Sequence, residues 1–393
     1  MTNLPEDFIR ETRSVMGEER FNRFLGAFNE EAPTSIRLNP ASHRAPCKAK
    51  QVPWCEEGYY LEGRPQFTFD PLFHAGCYYV QEASSMFICH ILRQFVKEPV
   101  AMLDLCAAPG GKSTAARSVL PEGSTLVSNE PIPNRAQILL ENITKWGWPN
   151  CMVTNNYPRD FRKAKAKFDL ILCDVPCSGE GMFRKDPATI SEWSLQNVEK
   201  CWRLQREIVA DAWECLNPGG LLIYSTCTFN TKENEENVRW ILDTYDAELL
   251  EIPIEASWNI TGSLLEGFDA PVYRFIPGIT RGEGLFACAL RKAGHPSQHL
   301  FNTKKLPLKV LESEMPQGDF PQAEVDYSEA LKYLRGEALV LPPDTPKGMV
   351  TITYKGQPLG PAKNIGSRAN NLYPKAWRIK TTHLPSEPVE ILL

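Results

Sequence analysis

The spacing of hydrophobic and polar positions changes several times along the chain. In "PEDFIRETRSVMGEERFNRFLGAFNEE", Phe8, Val15, Phe21, Phe24, Leu25 and Phe28 recur at helical intervals among charges, which predicts a helix pair with one buried face. The next run, "PTSIRLNP", is bracketed by Pro33 and Pro40 and reads as a short edge strand. It would expose Arg37 and Asn39, either to solvent or to a phosphate or base. From about residue 98 short apolar runs, "AMLDLC", "STLVSNE", "CMVTNN", "FDLILCDV" and "GGLLIYSTC", alternate with helical stretches. That alternation predicts an α/β domain with a doubly wound, mostly parallel, Rossmann-like sheet covered on both faces. Each run ends in a small or polar cluster, and ligands of such sheets bind beyond the carboxyl ends of the strands. Near residue 294 the alternation stops at a linker, "GHPSQHLFNTKKLPL", and short strands punctuated by Gly and Pro beyond it suggest a small β barrel.

Composition narrows the class. At 393 residues and 42% hydrophobic content the chain can bury two or three cores. The first residues carry acids and no apolar run like a signal sequence. No stretch reaches the roughly 18 apolar residues of a membrane span, so a cytoplasmic protein is expected. Twelve cysteines without a CxxC pair, and scattered histidines, read as reduced thiols; neither zinc nor any other metal is expected. A net charge of -5 does not mark the whole chain as a nucleic-acid binder, which leaves local patches. Residues 347–380 supply one, with seven Lys or Arg, no acid, and Tyr354, Tyr373 and Trp377 interleaved. Cations attract phosphates and aromatics stack on bases, so Lys363, Arg368, Lys375 and Arg378 are candidate RNA contacts, with a solvated β surface as the plain alternative.

The first strand of the repeat runs into "LDLCAAPGGKST" and then a helix. Gly110 and Gly111 allow a tight turn beside a ligand, and the helix start offers free N–H groups. A triphosphate-binding loop would need Gly where this chain has Cys106, and the GxGxxG dinucleotide fingerprint is missing. The second strand ends at Glu130, placed to receive the two ribose hydroxyls of a nucleoside and to disfavour a phosphorylated ribose. S-adenosylmethionine fits this pattern best.

Two further strands deliver thiols, Cys177 in "DVPCSGEGMF" and Cys227 in "STCTF", and Asp174 sits between them and the cofactor turn. Such a set suits methylation of carbon 5 of a pyrimidine. A thiolate adds to carbon 6 and makes carbon 5 nucleophilic, and a base later removes the carbon 5 proton. A carboxyl group near ring nitrogen 3 stabilises the adduct, and the target base must leave its stack.

Together "GCYYVQEASSM", "DLCAAPGGKS", "DVPCSGEGMFRKDP" and "WRLQREIVADAWECLNPGGLLIYSTCTFNTKENEENV" resemble the Nop/Sun family of RNA cytosine-C5 methyltransferases over residues 30 to 293. The closing "GPAKNIGSRANNLYPKAWRIK" resembles the C-terminal PUA-like domain of the bacterial ribosomal-RNA methyltransferase F subgroup. The resemblance implies a class I methyltransferase fold with a helical, RRM-like N-terminal extension. It places the nucleophile at Cys227, the cysteine assisting product release at Cys177, and the pocket acid at Asp174. The cofactor turn falls on Cys106, Ala107, Ala108, Pro109, Gly110, Gly111 and Lys112, and the ribose acid on Glu130. Where the family often has an adenine-contacting Asp, this chain has Tyr157, leaving Asn155 or Asn156 to meet the adenine amino edge. Arg184 and Lys185 stand beside the catalytic loop as candidate phosphate contacts.

The expected organisation is an extension over 1–97, a methyltransferase domain over 98–293, a connecting segment over 294–345 and a PUA-like domain over 346–393. The expected function is S-adenosylmethionine-dependent methylation of ribosomal RNA by a monomer. Transfer RNA as substrate, or a non-catalytic ribosome-assembly role, are the alternatives.

Overall fold

The computed structural model describes residues 4–42, 44, 49–295, 307–381 and 383–392; the linker residues 296–306 lie outside them. At its centre is a sheet of strands Ala101–Asp104, Thr125–Asn129, Cys151–Thr154, Phe168–Asp174 and Leu216–Thr226, mutually parallel and joined by helices. Residues along these strands alternate between two cores. Met102, Leu170, Leu172, Leu221 and Ile223 pack with Phe87, Ile91 and Ala115 on one face. Leu103, Ile171, Cys173, Leu222 and Tyr224 pack with Phe161, Ile208, Val209 and Ile241 on the other. Side chains of a strand point alternately to opposite faces, so a strand apolar at every position must be covered twice. Strand order reverses at Ala101–Asp104, whose neighbours are Thr125–Asn129 and Phe168–Asp174. This is the switch point beyond which an open α/β sheet leaves a crevice.

Two antiparallel strands, Leu285–Lys292 and Ala247–Leu250, extend one edge, and the other gains Val310–Leu311 from the connecting segment, antiparallel to Cys151–Thr154. Among the described residues no helix is long and apolar enough to cross a membrane. No group of His, Cys, Asp or Glu there could hold a metal ion, and the described cysteines are free.

The N-terminal helices Glu6–Met16 and Glu18–Gly26 bury Phe8, Phe21 and Phe24, with Met16 rather than Val15 on the inner face. That face meets Phe183, Trp193, Phe229 and Ile276, so the helix pair is packed on the loops that follow Cys177 and Cys227.

The strand Ser35–Leu38 corrects the edge-strand expectation. It lies inside a four-stranded antiparallel sheet, between Cys55–Leu61 and Tyr78–Val80, and all four residues are buried. Arg37 is 0% exposed; its Nε donates to Gln81 Oε1 at 2.8 Å, an Nη donates to Thr114 Oγ1 at 2.6 Å, and its plane lies 4.4 Å from the Trp146 ring. Asn39 donates to the carbonyls of Gly76 and Trp146, both at 2.9 Å. Neither is available to RNA; both fasten the extension to the central domain. Arg37→Met is therefore expected to lower stability by about 2 kcal/mol or more, since it strands buried acceptors. The slope of RNA affinity against salt should stay unchanged, whereas loss of a phosphate contact would lower it by about 1. Thermal melts and salt-dependent binding curves check the two halves.

The C-terminal sheet orders Gln322–Glu324, Gly348–Tyr354, Gln357–Asn364 and Ala369–Asn371, with helix Tyr327–Arg335 against it. It thus takes in residues expected in the connecting segment, because Gln322–Glu324 pairs in parallel with Thr351–Thr353. Its core is shared with Ile36, Leu38, Leu72 and Tyr78 of the N-terminal extension. Tyr354 and Tyr373 are buried in that core, which corrects their assignment as base-stacking residues. Trp377 is half-buried and lies 5.6 Å from Lys145 Nζ of the central domain. Arg378 donates to the Tyr373 carbonyl at 3.2 Å and covers Gly336, so it closes the module rather than reaching for RNA. Lys363, Arg368 and Lys375 are exposed.

Candidate active site

The turn after Ala101–Asp104 carries Cys106 to Lys112 over the sheet, and helix Gly111–Val119 starts there. Gly110 has φ +116°, in the left-handed region closed to most side chains. A cavity of about 170 Å³ opens beside this turn, lined by Asp104, Cys106, Ala107, Ala108, Pro109, Gly111, Lys112 and Asp174. Tyr79, Gln81, Glu82 and Ser85 of the N-terminal extension close its other side.

Two acids at the ends of neighbouring strands, Asp104 in the cavity lining and Glu130 just past the next strand, hold buried oxygens with no hydrogen-bond partner. Glu130, at the end of Thr125–Asn129, accepts from the Ile132 N–H at 3.0 Å through Oε1; its Oε2 is unbonded, with Arg135 at 3.7 Å. Asp104 Oδ2 accepts from Ser113 Oγ at 2.6 Å, while Oδ1 is unbonded. Burial raises the Asp104 carboxyl to about 7, and the Ser113 hydrogen bond only partly opposes it. Unsatisfied buried acceptors are costly in a folded protein and fit a ligand that brings donors. The two ribose hydroxyls and the ammonium of S-adenosylmethionine are such donors. Sequence reasoning missed Asp104, although the argument that selected Glu130, an acid at a strand end facing the crevice, applies to it equally.

Asn156 and Tyr157 fall differently. The Asn156 side chain exchanges both its hydrogen bonds with the Lys309 backbone, at 3.1 and 3.0 Å, and so anchors the edge strand Val310–Leu311. Asn155 is likewise spent on the Glu130 and Pro131 carbonyls and on Lys309. Tyr157 is 56% exposed with Arg159 over its ring. The amide expected at the adenine is therefore occupied elsewhere.

The next two strands end side by side, Asp174 opposite Ser225. Asp174 accepts from Lys112 Nζ and Ser225 Oγ, each at 2.8 Å, which ties the cofactor turn to the cysteine loops. Burial works against the charge on Lys112, but Asp174 and then Cys227 outweigh it and raise the ammonium's pKa. One residue beyond Thr226, Cys227 Sγ lies 3.4 Å from Cys177 Sγ. The Cys177 thiol is pushed well up by its hydrogen bond with Cys227 and by burial, which disfavours its thiolate. Gly181 makes the close approach feasible. Its N–H donates to the Cys227 carbonyl at 2.7 Å, and a Cβ there would stand 2.4 Å from that oxygen.

The flanking cations divide. Arg184 forms an ion pair with Glu283 at 2.7 Å and donates to the Glu30 carbonyl, with its side chain 8% exposed. It holds the loop to the N-terminal extension, which corrects its assignment to phosphate. Lys185 is exposed.

The doubly wound sheet, the acid-lined crevice at its switch point and the paired strand-end thiols define an S-adenosylmethionine-dependent methyltransferase. The chain belongs to the 16S rRNA methyltransferase RsmB/F family, whose description matches residues 93–291. Residues 4–83 match the N-terminal domain of 16S rRNA methyltransferase RsmF, and residues 320–379 match the methyltransferase RsmF PUA domain. The chain is 30% identical over 465 aligned positions to ribosomal RNA small subunit methyltransferase F of Cronobacter sakazakii (strain ATCC BAA-894), across 95% of this chain and 96% of that protein. Among solved structures, it resembles a methyltransferase homolog protein from Pyrococcus horikoshii with a TM-score of 0.59 and 25% identity, covering 74% of this chain and all of that one. It shares its fold with NSun6 from Pyrococcus horikoshii with SFG, at TM-score 0.60 and 20% identity, covering 74% of this chain and 99% of that one.

Proposed function

We propose that the chain is an RNA (cytosine-C5)-methyltransferase acting on ribosomal RNA in the cytoplasm, with Cys227 as its nucleophile. The observation that carries this reading is the pair of thiols 3.4 Å apart at the mouths of adjacent parallel strands, beside the Lys112–Asp174 pair. A methyl transfer to an already nucleophilic atom needs no thiol. Carbon 5 of cytosine is a poor nucleophile and needs a covalent one.

Cys227 stands at the end of its strand close to the Lys112 cation, while burial and the hydrogen bond with Cys227 disfavour a thiolate on Cys177. The Cys227 thiolate forms a C–S bond to carbon 6 of an unstacked cytidine, and the electron pair of the 5,6 double bond activates carbon 5. Bound S-adenosylmethionine supplies the electrophilic methyl group that carbon 5 accepts. Asp174 is positioned to accept a hydrogen bond from the cytosine amino edge while Lys112 and Ser225 fix its orientation. Solvent water takes the carbon 5 proton, the C5–H pair re-forms the 5,6 double bond, the C–S pair returns to sulfur, and Cys177 donates its hydrogen bond to the departing Cys227. Glu130, Asp104 and the turn Cys106–Lys112 hold the cofactor. The exposed Lys185, Lys363, Arg368 and Lys375 are the basic residues left to meet RNA phosphates.

The Asp104 assignment predicts a pH dependence. With its carboxyl raised to about 7, the free protein at pH 6 holds a proton there, and a donor-rich ligand on the unbonded oxygen favours the ionised form. S-adenosylmethionine binding should release a proton and tighten as pH rises from about 6 to about 8. Calorimetry in buffers of different ionisation enthalpy checks this, and Asp104→Asn should remove the effect. The ligand-free protein shows the opposite trend. The Asp104 contribution to stability is full below the unfolded value near about 4 and is lost as pH rises through about 7. Asp104→Asn should therefore raise the melting temperature at pH 8 while weakening cofactor binding.

The function is tested by bisulfite mapping of 5-methylcytidine in total RNA from cells with and without this protein. One or more ribosomal-RNA cytidines should lose the mark. Unchanged ribosomal RNA together with a lost transfer-RNA mark would overturn the substrate, and no lost mark in any RNA would overturn the activity.

A further inference from the structure

Each cysteine loop carries a buried glutamate with an oxygen that accepts from the backbone of the other loop. Glu180, on the Cys177 loop, is 2% exposed. Its Oε2 accepts from the backbone N–H groups of Phe229 at 2.6 Å and Asn230 at 3.1 Å, both on the Cys227 loop. Its Oε1 accepts from Asn230 Nδ2 and Trp193 Nε1, each at 3.0 Å. Glu233, on the Cys227 loop, is fully buried and returns the arrangement. Its Oε2 accepts from the backbone N–H of Ser178, the residue after Cys177, at 3.0 Å and from Gln205 Nε2 at 2.7 Å. Its Oε1 accepts from Asn230 Nδ2 at 2.8 Å. The hydroxyls that follow the two cysteines, Ser178 and Thr228, meet at 3.0 Å.

We infer that Glu180 and Glu233 are positioning residues, a reciprocal carboxylate brace that sets the separation of the two sulfurs, with Glu180 placing the nucleophile and Glu233 placing the thiol that releases it. The inference rests on the covalent reading proposed above. Two features favour it over ordinary loop packing. Two buried carboxylates close to one another are costly, and burial together with the charge of Glu180 pushes Glu233 up to about 7. The hydrogen bonds they receive all come from donors, so an ionised carboxylate suits either position, whereas a glutamine would turn its own N–H groups against N–H donors.

The brace predicts opposite defects from two isosteric changes. Glu180→Gln should slow formation of the covalent RNA adduct about tenfold to a hundredfold and leave little of it at steady state, because Cys227 is displaced. Glu233→Gln should leave adduct formation nearly intact but slow its breakdown by a similar factor, so the trapped fraction rises. Neither should change S-adenosylmethionine affinity or the KM for RNA more than about threefold, since both sets of contacts lie elsewhere. Rapid-quench kinetics with methyl-labelled cofactor, read on denaturing gels, gives both rates. Cys177→Ala runs beside them as the control for the covalent reading. No adduct with Cys177→Ala would overturn that reading and the brace with it. An adduct there, but equal and parallel losses in both glutamine variants, would overturn the brace alone. If Glu233→Gln does not fold, Gln205→Met removes one of its donors and should shift the trapped fraction in the same direction; an unchanged fraction overturns the inference.

Discussion

Replacing Cys227 with alanine should abolish methyl transfer, by about 10⁴-fold or more, and abolish the covalent protein–RNA species with it. The expectation follows from the location of the sulfur. Cys227 directly follows the strand Leu216–Thr226 beside the Lys112 cation, and the neighbouring Cys177 thiol is pushed up by burial and by its hydrogen bond with Cys227. No other described cysteine has these surroundings. Cys173 and Cys288, on the same two-faced sheet, are buried in its core and their pKa values are pushed up by burial. Cofactor affinity should be unchanged, because the residues proposed to hold S-adenosylmethionine, Asp104, Glu130 and the turn 106–112, are untouched. A variant that binds cofactor normally and transfers nothing separates loss of the nucleophile from loss of the fold.

Cys177→Ala should behave differently although its sulfur is only 3.4 Å away. In the proposed mechanism formation of the adduct needs Cys227 and Asp174, both of which survive the change. Breakdown in that mechanism needs the Cys227 sulfur to leave carbon 6, and Cys177 would supply the hydrogen bond that eases its departure. Removing a positioned proton donor typically costs about 10²- to 10⁴-fold, so turnover should fall by that order while the adduct accumulates to near the enzyme concentration. Denaturing gels with labelled RNA report the accumulated species.

The central domain was legible because its signals are local. Strands apolar at every position, separated by helices and ending in small or polar residues, dictate a covered parallel sheet with a crevice at the strand ends. Asp174 ends its strand, and Glu130, Cys177 and Cys227 lie within three residues beyond theirs. The misreadings share a cause. Arg37 and Asn39 look polar and free in "PTSIRLNP", but their burial depends on pairing with Tyr78–Val80 and on Thr114 and Trp146, none of which a local pattern discloses. Arg184 is taken by Glu283, far away in the chain. Tyr354 was recoverable, because Val350, Ile352 and Tyr354 alternate along one strand and belong on one buried face. Tyr373 offered no such cue. The carboxylate brace was hidden for a further reason: "TKENEEN" reads as a solvated acidic helix start until the partner loop is in place around Glu233.

The covalent assignment is tested most directly by digesting the species trapped by Cys177→Ala and sequencing the nucleotide-bearing peptide by mass spectrometry. The account predicts a cytidine joined to Cys227 within the peptide containing "STCTF". An adduct on any other residue, or trapping by Cys227→Ala through Cys177, would contradict it.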